Sequence, residues 1–201
     1  MQGFLRLEGL PFYGPPLLLT IAAFWLGWWP LGLLFLGLTL FLMWFFRDPE
    51  RMPEGDGVLS PADGTVLRVV DLDTGGKRVD IFMSVVNVHV NRAPVAGTVG
   101  GIVYTPGRKA PAGTEEAHRF NENNYFEVRG DGLTVGSRQI AGILARRIVF
   151  WKREGDLVKR GQRVGMIKFG SRVEVTLPPG HTVQVKQGDK VRAGSTVLAQ
   201  A

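Results

Sequence analysis

Hydrophobic and polar positions fall into two regimes along the chain. From Leu17 to Phe46 the sequence reads LLLTIAAFWLGWWPLGLLFLGLTLFLMWFF, thirty residues without a charge. About 20 apolar residues cross a bilayer core, so the run is too long for one straight, untilted helix. Pro30, after Gly27, Trp28 and Trp29, removes a helical hydrogen bond near its middle, and tryptophan favours the headgroup interface. The pattern predicts an N-terminal helical membrane segment over residues 1–46. It is either a kinked single span or, the favoured reading, a hairpin of two short helices. A buried helix of a soluble protein would carry a polar stripe. A secretory leader would have a shorter apolar stretch and a cleavage site of small residues. Arg47 and Arg51 follow the run and favour the cytoplasmic side.

Residues 47–201 carry a different period. Short β-branched runs are broken by Gly, Pro and Asp: 64–70, 79–90, 97–104, 125–129, 140–151, 164–168, 172–177, 181–186 and 196–199. Such runs at this spacing predict a sandwich or barrel. Val79–Val90, almost continuously apolar with residue 80 set aside, predicts a central strand covered on both faces. Pro106–Asn124 is polar and is expected to form a long strand-free loop.

Two weak echoes lie 33 residues apart. Pro61-Ala-Asp-Gly-Thr-Val66 resembles Pro94-Val-Ala-Gly-Thr-Val99, and Gly155-Asp-Leu-Val-Lys-Arg-Gly161 resembles Gly188-Asp-Lys-Val-Arg-Ala-Gly194. The second pair describes a tight turn feeding a strand. Turns of this kind recur in barrel-sandwich domains of the lipoyl type, which fixes the expected fold class as mainly β.

Composition sharpens this picture. The chain is 45% hydrophobic with 27 Gly and 12 Pro, which excludes a disordered chain and a coiled coil. Zero cysteines exclude disulfides, thiolate metal sites and a cysteine nucleophile. The net charge of +6 sits wholly beyond residue 46, because Arg6 and Glu8 cancel. With few aromatics outside the apolar segment, that charge suits anionic lipid better than nucleic acid. His89, His118 and His181 show no metal-ligand spacing.

Three segments could carry chemistry: Ser60-Pro-Ala-Asp-Gly64, Asn87-Val-His-Val-Asn-Arg-Ala-Pro94 and Phe169-Gly-Ser-Arg172. Singly, each reads as a turn or a strand end. Together with Phe46-Arg-Asp-Pro-Glu-Arg51, Asn121-Glu122, Gln139-Ile-Ala-Gly142, Ala145-Arg-Arg-Ile148 and Gly165-Met-Ile-Lys-Phe-Gly-Ser-Arg172, in this order behind a hydrophobic segment, they are distinctive. The chain resembles the phosphatidylserine decarboxylase proenzymes, in particular their short bacterial and archaeal branch, along nearly its whole length.

The resemblance implies a self-processing enzyme. Ser171 would attack the Gly170 carbonyl, the chain would split into residues 1–170 and 171–201, and residue 171 would become a pyruvoyl group. That group would form a Schiff base with the substrate amine and accept the electrons released with CO2. No metal or pyridoxal phosphate is implied. Asp63 and His89 are implied as catalytic, His89 oriented by Asp63 to serve as base or proton donor. Longer relatives carry a second histidine just downstream of His89, where this chain has Asn91-Arg92. Arg92, Arg146, Arg147, Arg172 and His118 are candidates for the lipid phosphate. The implied partners are phosphatidylserine in the membrane and the sister chain of a cleaved heterodimer, with a higher homo-oligomer open and no nucleic acid. Two alternatives stand beside this: a non-enzymatic membrane-anchored barrel-sandwich adaptor or carrier, and a decarboxylase of an ether-linked serine lipid.

Overall fold

The structure, a computed structural model, describes residues 4–130, 132–142, 147–168 and 170–200. It divides into two units, Met1–Glu50 and Arg51–Ala201.

The first unit is a helical hairpin. Helix α1 (Leu10–Trp25) and helix α2 (Trp29–Phe45) are joined by residues 26–28, where Gly27 has φ +76°. Phe24 meets Trp29 at the turn end, and Phe12 and Tyr13 meet Phe46 at the other, so the helices run antiparallel. Gly32 makes the close approach possible: a Cβ there would lie 2.5 Å from the Phe24 ring. Thr20 and Thr39 donate their hydroxyls to Pro16 and Phe35 carbonyls at 2.8 Å, satisfying them inside their own helices. The outer surface stays apolar, with Trp25 84% and Leu18 68% exposed. Leu7–Trp25, including a preceding 3-10 turn, is long and apolar enough to cross a membrane. Helix α2, at 17 residues, rises about 26 Å.

The second unit is mainly β. In chain order its strands are β1 (Val58–Leu59), β2 (Gly64–Asp71), β3 (Lys77–Met83), β4 (Val90–Arg92), β5 (Gly97–Thr105), β6 (Asn123–Gly130), β7 (Leu133–Ala141), β8 (Arg147–Phe150), β9 (Leu157–Val158), β10 (Arg163–Lys168), β11 (Ser171–Leu177), β12 (Thr182–Val183), β13 (Lys190–Val191) and β14 (Val197–Gln200). Eight form one sheet in the order β13-β2-β3-β11-β7-β6-β5-β9, and the rest form two three-stranded sheets, β4-β10-β8 and β1-β14-β12. The inner face of the large sheet buries Val66, Val79, Ile81, Phe126, Val173 and Val175.

The sequence echoes are structural. Strand β13 pairs with the start of β2, and β9 pairs with the start of β5. Val66 donates to the Asp189 carbonyl and Val99 to the Asp156 carbonyl, both at 2.9 Å. In return Gly188 donates to Val66 and Gly155 to Val99. All four turn glycines, 155, 161, 188 and 194, have positive φ between 71° and 93°. The two halves meet where Gly161 faces Gly194.

Three expectations need correction. Val79–Val90 is not one strand. It breaks after Met83 because Asn87 Oδ1 accepts from both the Ser84 amide (2.9 Å) and the Ser84 hydroxyl (2.7 Å), closing a turn that sends β4 into another sheet. Pro106–Asn124 is not a bare loop. Helix α3 (Glu115–Phe120) forms within it, capped by Thr114 and carrying Glu115 and Glu116 in its first turn, and β6 starts at Asn123. The run 140–151 is two strand ends: β7 starts back at Leu133, stops at Ala141, and β8 starts at Arg147.

Candidate active site

The Gly170–Ser171 junction lies where β10 hands over to β11. Ser171 is the first residue of β11, which is held between β3 and β7: its partners are Met83 and Ala141. Alternation along β11 sends Ser171, Val173 and Val175 to the inner face and Arg172 and Glu174 to the outer one. Ser171 is fully buried, with Oγ 3.3 Å from Met83 Sδ. Gly170 has φ +55°, a left-handed conformation that favours glycine. Its carbonyl packs on Gly142: a Cβ at 142 would lie 2.3 Å from the Gly170 oxygen. Asn121 holds that corner. Its amide donates to the carbonyls of Ala110 (2.8 Å) and Ala141 (2.7 Å), and its Oδ1 accepts from the Ala110 amide.

His89 is fully buried just before β4, and its carbonyl accepts from Ile167 in β10 at 3.2 Å. It therefore lies beside the strand that leads into the junction. Its Nδ1 is 3.0 Å from the Asn87 carbonyl. A carbonyl only accepts, so Nδ1 carries a proton and neutral His89 has its lone pair on Nε2.

Asp63 is tied elsewhere. Its Oδ2 accepts from Arg51 at 3.0 Å and its Oδ1 from the Ala193 amide at 2.7 Å. Among the described residues the structure does not join Asp63 to His89. The break after Met83 carries His89 towards β10, while the turn at 192–195 keeps Asp63.

Other buried polar groups lie near Ser171. Gln139 of β7 donates to Asn91 Oδ1 at 2.8 Å and accepts from Asn124 at 3.0 Å. Asn91 Nδ2 reaches Met83 Sδ at 3.9 Å, the sulfur that Ser171 also contacts. Asn91 and Gln139 stood in the recognised segments, yet nothing in their spacing marked them as one inward-facing group.

The outer face carries a buried ion network. Asp80 accepts from Arg68 (2.5 Å), from Arg78 (2.9 Å) and from Arg172. Arg172 also pairs with Glu174 at 3.0 Å, and Glu174 meets His118 Nδ1 at 2.7 Å. Arg68 extends to Glu115 on α3 at 2.8 Å. The hydrogen bond from Arg68 holds the Glu115 carboxyl below its ordinary range, and Glu115 in turn raises the Arg68 guanidinium. Asp80 and Glu174 are cross-strand partners, and Arg138 of β7 lies 3.7 Å from Glu174, so the two carboxylates collect arginines from four strands.

The phosphate candidates thus separate. Arg172 is 1% exposed and neutralises Asp80 and Glu174 rather than facing solvent. Arg92 is buried and donates to the Gly161 carbonyl at 3.1 Å. His118 is brought to Arg172 through Glu174. Arg147 is exposed at the start of β8. Arg146 lies outside the described residues. Among the described residues, no group of three or more His, Cys, Asp or Glu side chains could hold a metal ion.

Comparison with known proteins covers nearly the whole chain. The family model for phosphatidylserine decarboxylase matches residues 38–199. A phosphatidylserine decarboxylase proenzyme of Syntrophus aciditrophicus is 46% identical, over 98% of this chain and 97% of its own length. Proteins of the same name from Symbiobacterium thermophilum and Nitratidesulfovibrio vulgaris are 46% and 48% identical, each over 96% of this chain and 94% and 93% of their own.

Proposed function

The chain belongs to the phosphatidylserine decarboxylase family, and we propose that it decarboxylates phosphatidylserine using a pyruvoyl group made from its own Ser171. The observation that carries this reading is the junction itself: a buried serine hydroxyl after a left-handed glycine, at the head of a strand laddered on both sides.

In this reading Ser171 Oγ attacks the Gly170 carbonyl carbon, the C–N bond breaks, and the nitrogen takes the hydroxyl proton. The resulting ester loses the Gly170 carboxylate by elimination of the Ser171 α-proton, leaving dehydroalanine. Water then replaces nitrogen as ammonia and leaves a ketone. A buried serine is a poor nucleophile without a base. His89 is our candidate, its Nδ1 held by Asn87 so that Nε2 can take a proton. Asp63 acts less directly, by fixing Arg51 and the 192–195 turn. The pyruvoyl group supplies the electron sink that an amino-acid decarboxylation needs and that no ordinary side chain provides. Residue 171 suits it, since the ladder on both sides of β11 would hold the new chain end after the cut.

The apolar helical hairpin supports work at a membrane. Extracting a lipid would expose its acyl chains at about 0.8 kcal/mol per CH2. Arg47 and Arg51 support the cytoplasmic side. The working unit would be a heterodimer of 170- and 31-residue chains.

The test is intact mass. Purified protein should show two chains, the smaller starting at residue 171 with a blocked terminus that is lighter than serine. A preparation that releases CO2 from phosphatidylserine yet consists of one unmodified chain would sink the proposal.

A second expectation concerns Gly142→Ala. The new methyl group would press on the oxygen of the Gly170 carbonyl, the group under attack. Misplacing a reacting group by about 1 Å can cost 100-fold. Chain splitting, followed on denaturing gels, should slow by about 10- to 100-fold, and the melting temperature should fall as well, because backbone 2.3 Å from the new Cβ must shift. Splitting at the normal rate would show that the contact does not position the carbonyl.

A further inference from the structure

Of the five expected phosphate ligands, Arg92 and Arg172 are buried and committed, and His118 meets Glu174. A cleft of about 620 Å³, in the size range of small-molecule sites, opens at the end of the large sheet where Ser171 also lies. Its lining comes from the start of β2 (Thr65), the 84–87 turn (Ser84, Asn87) and β13 with its following turn (Lys190, Arg192).

Three features point to a ligand. First, Lys190 and Arg192 are exposed and make no ion pair among the described residues. Most arginines of this unit, by contrast, hold carboxylates or carbonyls. Of the two acidic residues in the cleft, Asp63 is neutralised by Arg51. The lining that remains is Lys190 and Arg192 against Glu54, one net positive charge facing the cleft. That balance fits a phosphodiester monoanion. Second, the cleft wall includes residues next to the partners of the reaction centre. Ser84 follows Met83, the cross-strand partner of Ser171, and Asn87 holds His89 Nδ1. Lys190 stands three strands from β11 in the sheet order, about 14 Å at the usual spacing, a gap that its long side chain and a headgroup can share. Third, the same turn exposes Val85 (37%) and Val86 (58%), an apolar tip beside a cationic cleft.

We propose that this cleft seats the serine-lipid headgroup, with Lys190 and Arg192 holding the phosphodiester and the Val85–Val86 tip directed at the acyl region. The proposal rests on the decarboxylase reading above for the identity of the ligand. Thr65, Ser84 and the Asn87 amide add neutral hydrogen-bonding groups around the phosphate. No covalent step is assigned to any of these residues.

The probe is sn-glycero-3-phosphoserine, a water-soluble diester with the same headgroup, titrated calorimetrically into the full-length protein in detergent. The double variant Lys190→Gln/Arg192→Gln should weaken binding by about ten-fold or more, the usual effect of losing a charge-assisted contact. The Michaelis constant for phosphatidylserine in mixed micelles should rise similarly, while kcat and the two-chain mass pattern stay unchanged. The control pair Lys109→Gln/Lys159→Gln, which removes two exposed charges outside the cleft, should change neither. Equal losses in the control pair would overturn the site in favour of general attraction for anions. Unchanged binding and Michaelis constant in the cleft pair would overturn it outright and leave the decarboxylase reading intact. Wild-type protein that binds the diester in the expected residue-dependent way but releases no CO2 would sink the decarboxylase reading and leave the cleft site standing.

Discussion

Ser171→Ala should yield one uncut chain of 22.1 kDa, with decarboxylation lowered about 10³-fold or more, to background. The result should be clean because the side chain does little for the fold. The register of β11 is set by backbone ladders to β3 and β7, and the inward direction of residue 171 by strand alternation. Removing Oγ loses a contact with Met83 Sδ and leaves a small cavity next to a flexible thioether. The melting temperature should therefore move by only a few degrees while the chemistry vanishes. A variant that still splits would place the nucleophile elsewhere. One that stays whole but decarboxylates normally would break the link between the cut and the reaction.

Asp80→Ala should have the largest effect on stability. Its carboxylate is fully buried and accepts from Arg68, Arg78 and Arg172. Removing one partner of a buried ion pair typically costs about 3–5 kcal/mol, because the remaining charge is left uncompensated. In a domain of this size that lowers the melting temperature by roughly 6–20 °C. Arg172, next to the junction, would keep only Glu174 and the Thr114 carbonyl, so splitting should slow as well. Added salt should do little to the wild type, since buried pairs are poorly screened. A loss below about 1 kcal/mol in chemical denaturation would mean that the network is solvated and contributes no more than surface pairs do.

Legibility varied with the physics. The thirty-residue charge-free run announced a helical segment, because no soluble strand or loop has that composition. The runs around residues 64–70 and 97–104 appeared nearly as read, since β-branched residues between turn glycines leave few alternatives. Strand β7 was hidden: it carries Ser137 and Gln139 on its buried face and Gly136 just before them, so the hydrophobic alternation is absent. The break after Met83 was hidden because its cause is one side chain, Asn87, acting on a backbone otherwise suited to continue. Helix α3 did leave a signal, a threonine cap followed by two acids and then His118 and Arg119, but six residues carry too little periodicity to register. The site shows the same limits. Ser171 and Gly170 were legible through the recognised segments. That Arg172 would be buried was not, since pairing between Asp80 and Glu174 is decided by register across two strands distant in sequence.

The ladder around β11 has a further consequence. A cut at residue 170 turns an internal strand of the eight-stranded sheet into the first strand of a separate 31-residue chain, while its neighbours β3 and β7 stay on the other. Folding of the uncut chain brings these strands together at the high local concentration of one polymer. Reassembly after the cut would be bimolecular and diluted. The mature protein would thus sit in a state it can leave but not readily regain, with a working lifetime set by an unfolding rate rather than by an equilibrium. Maturation would then be the last moment at which errors of folding can be repaired.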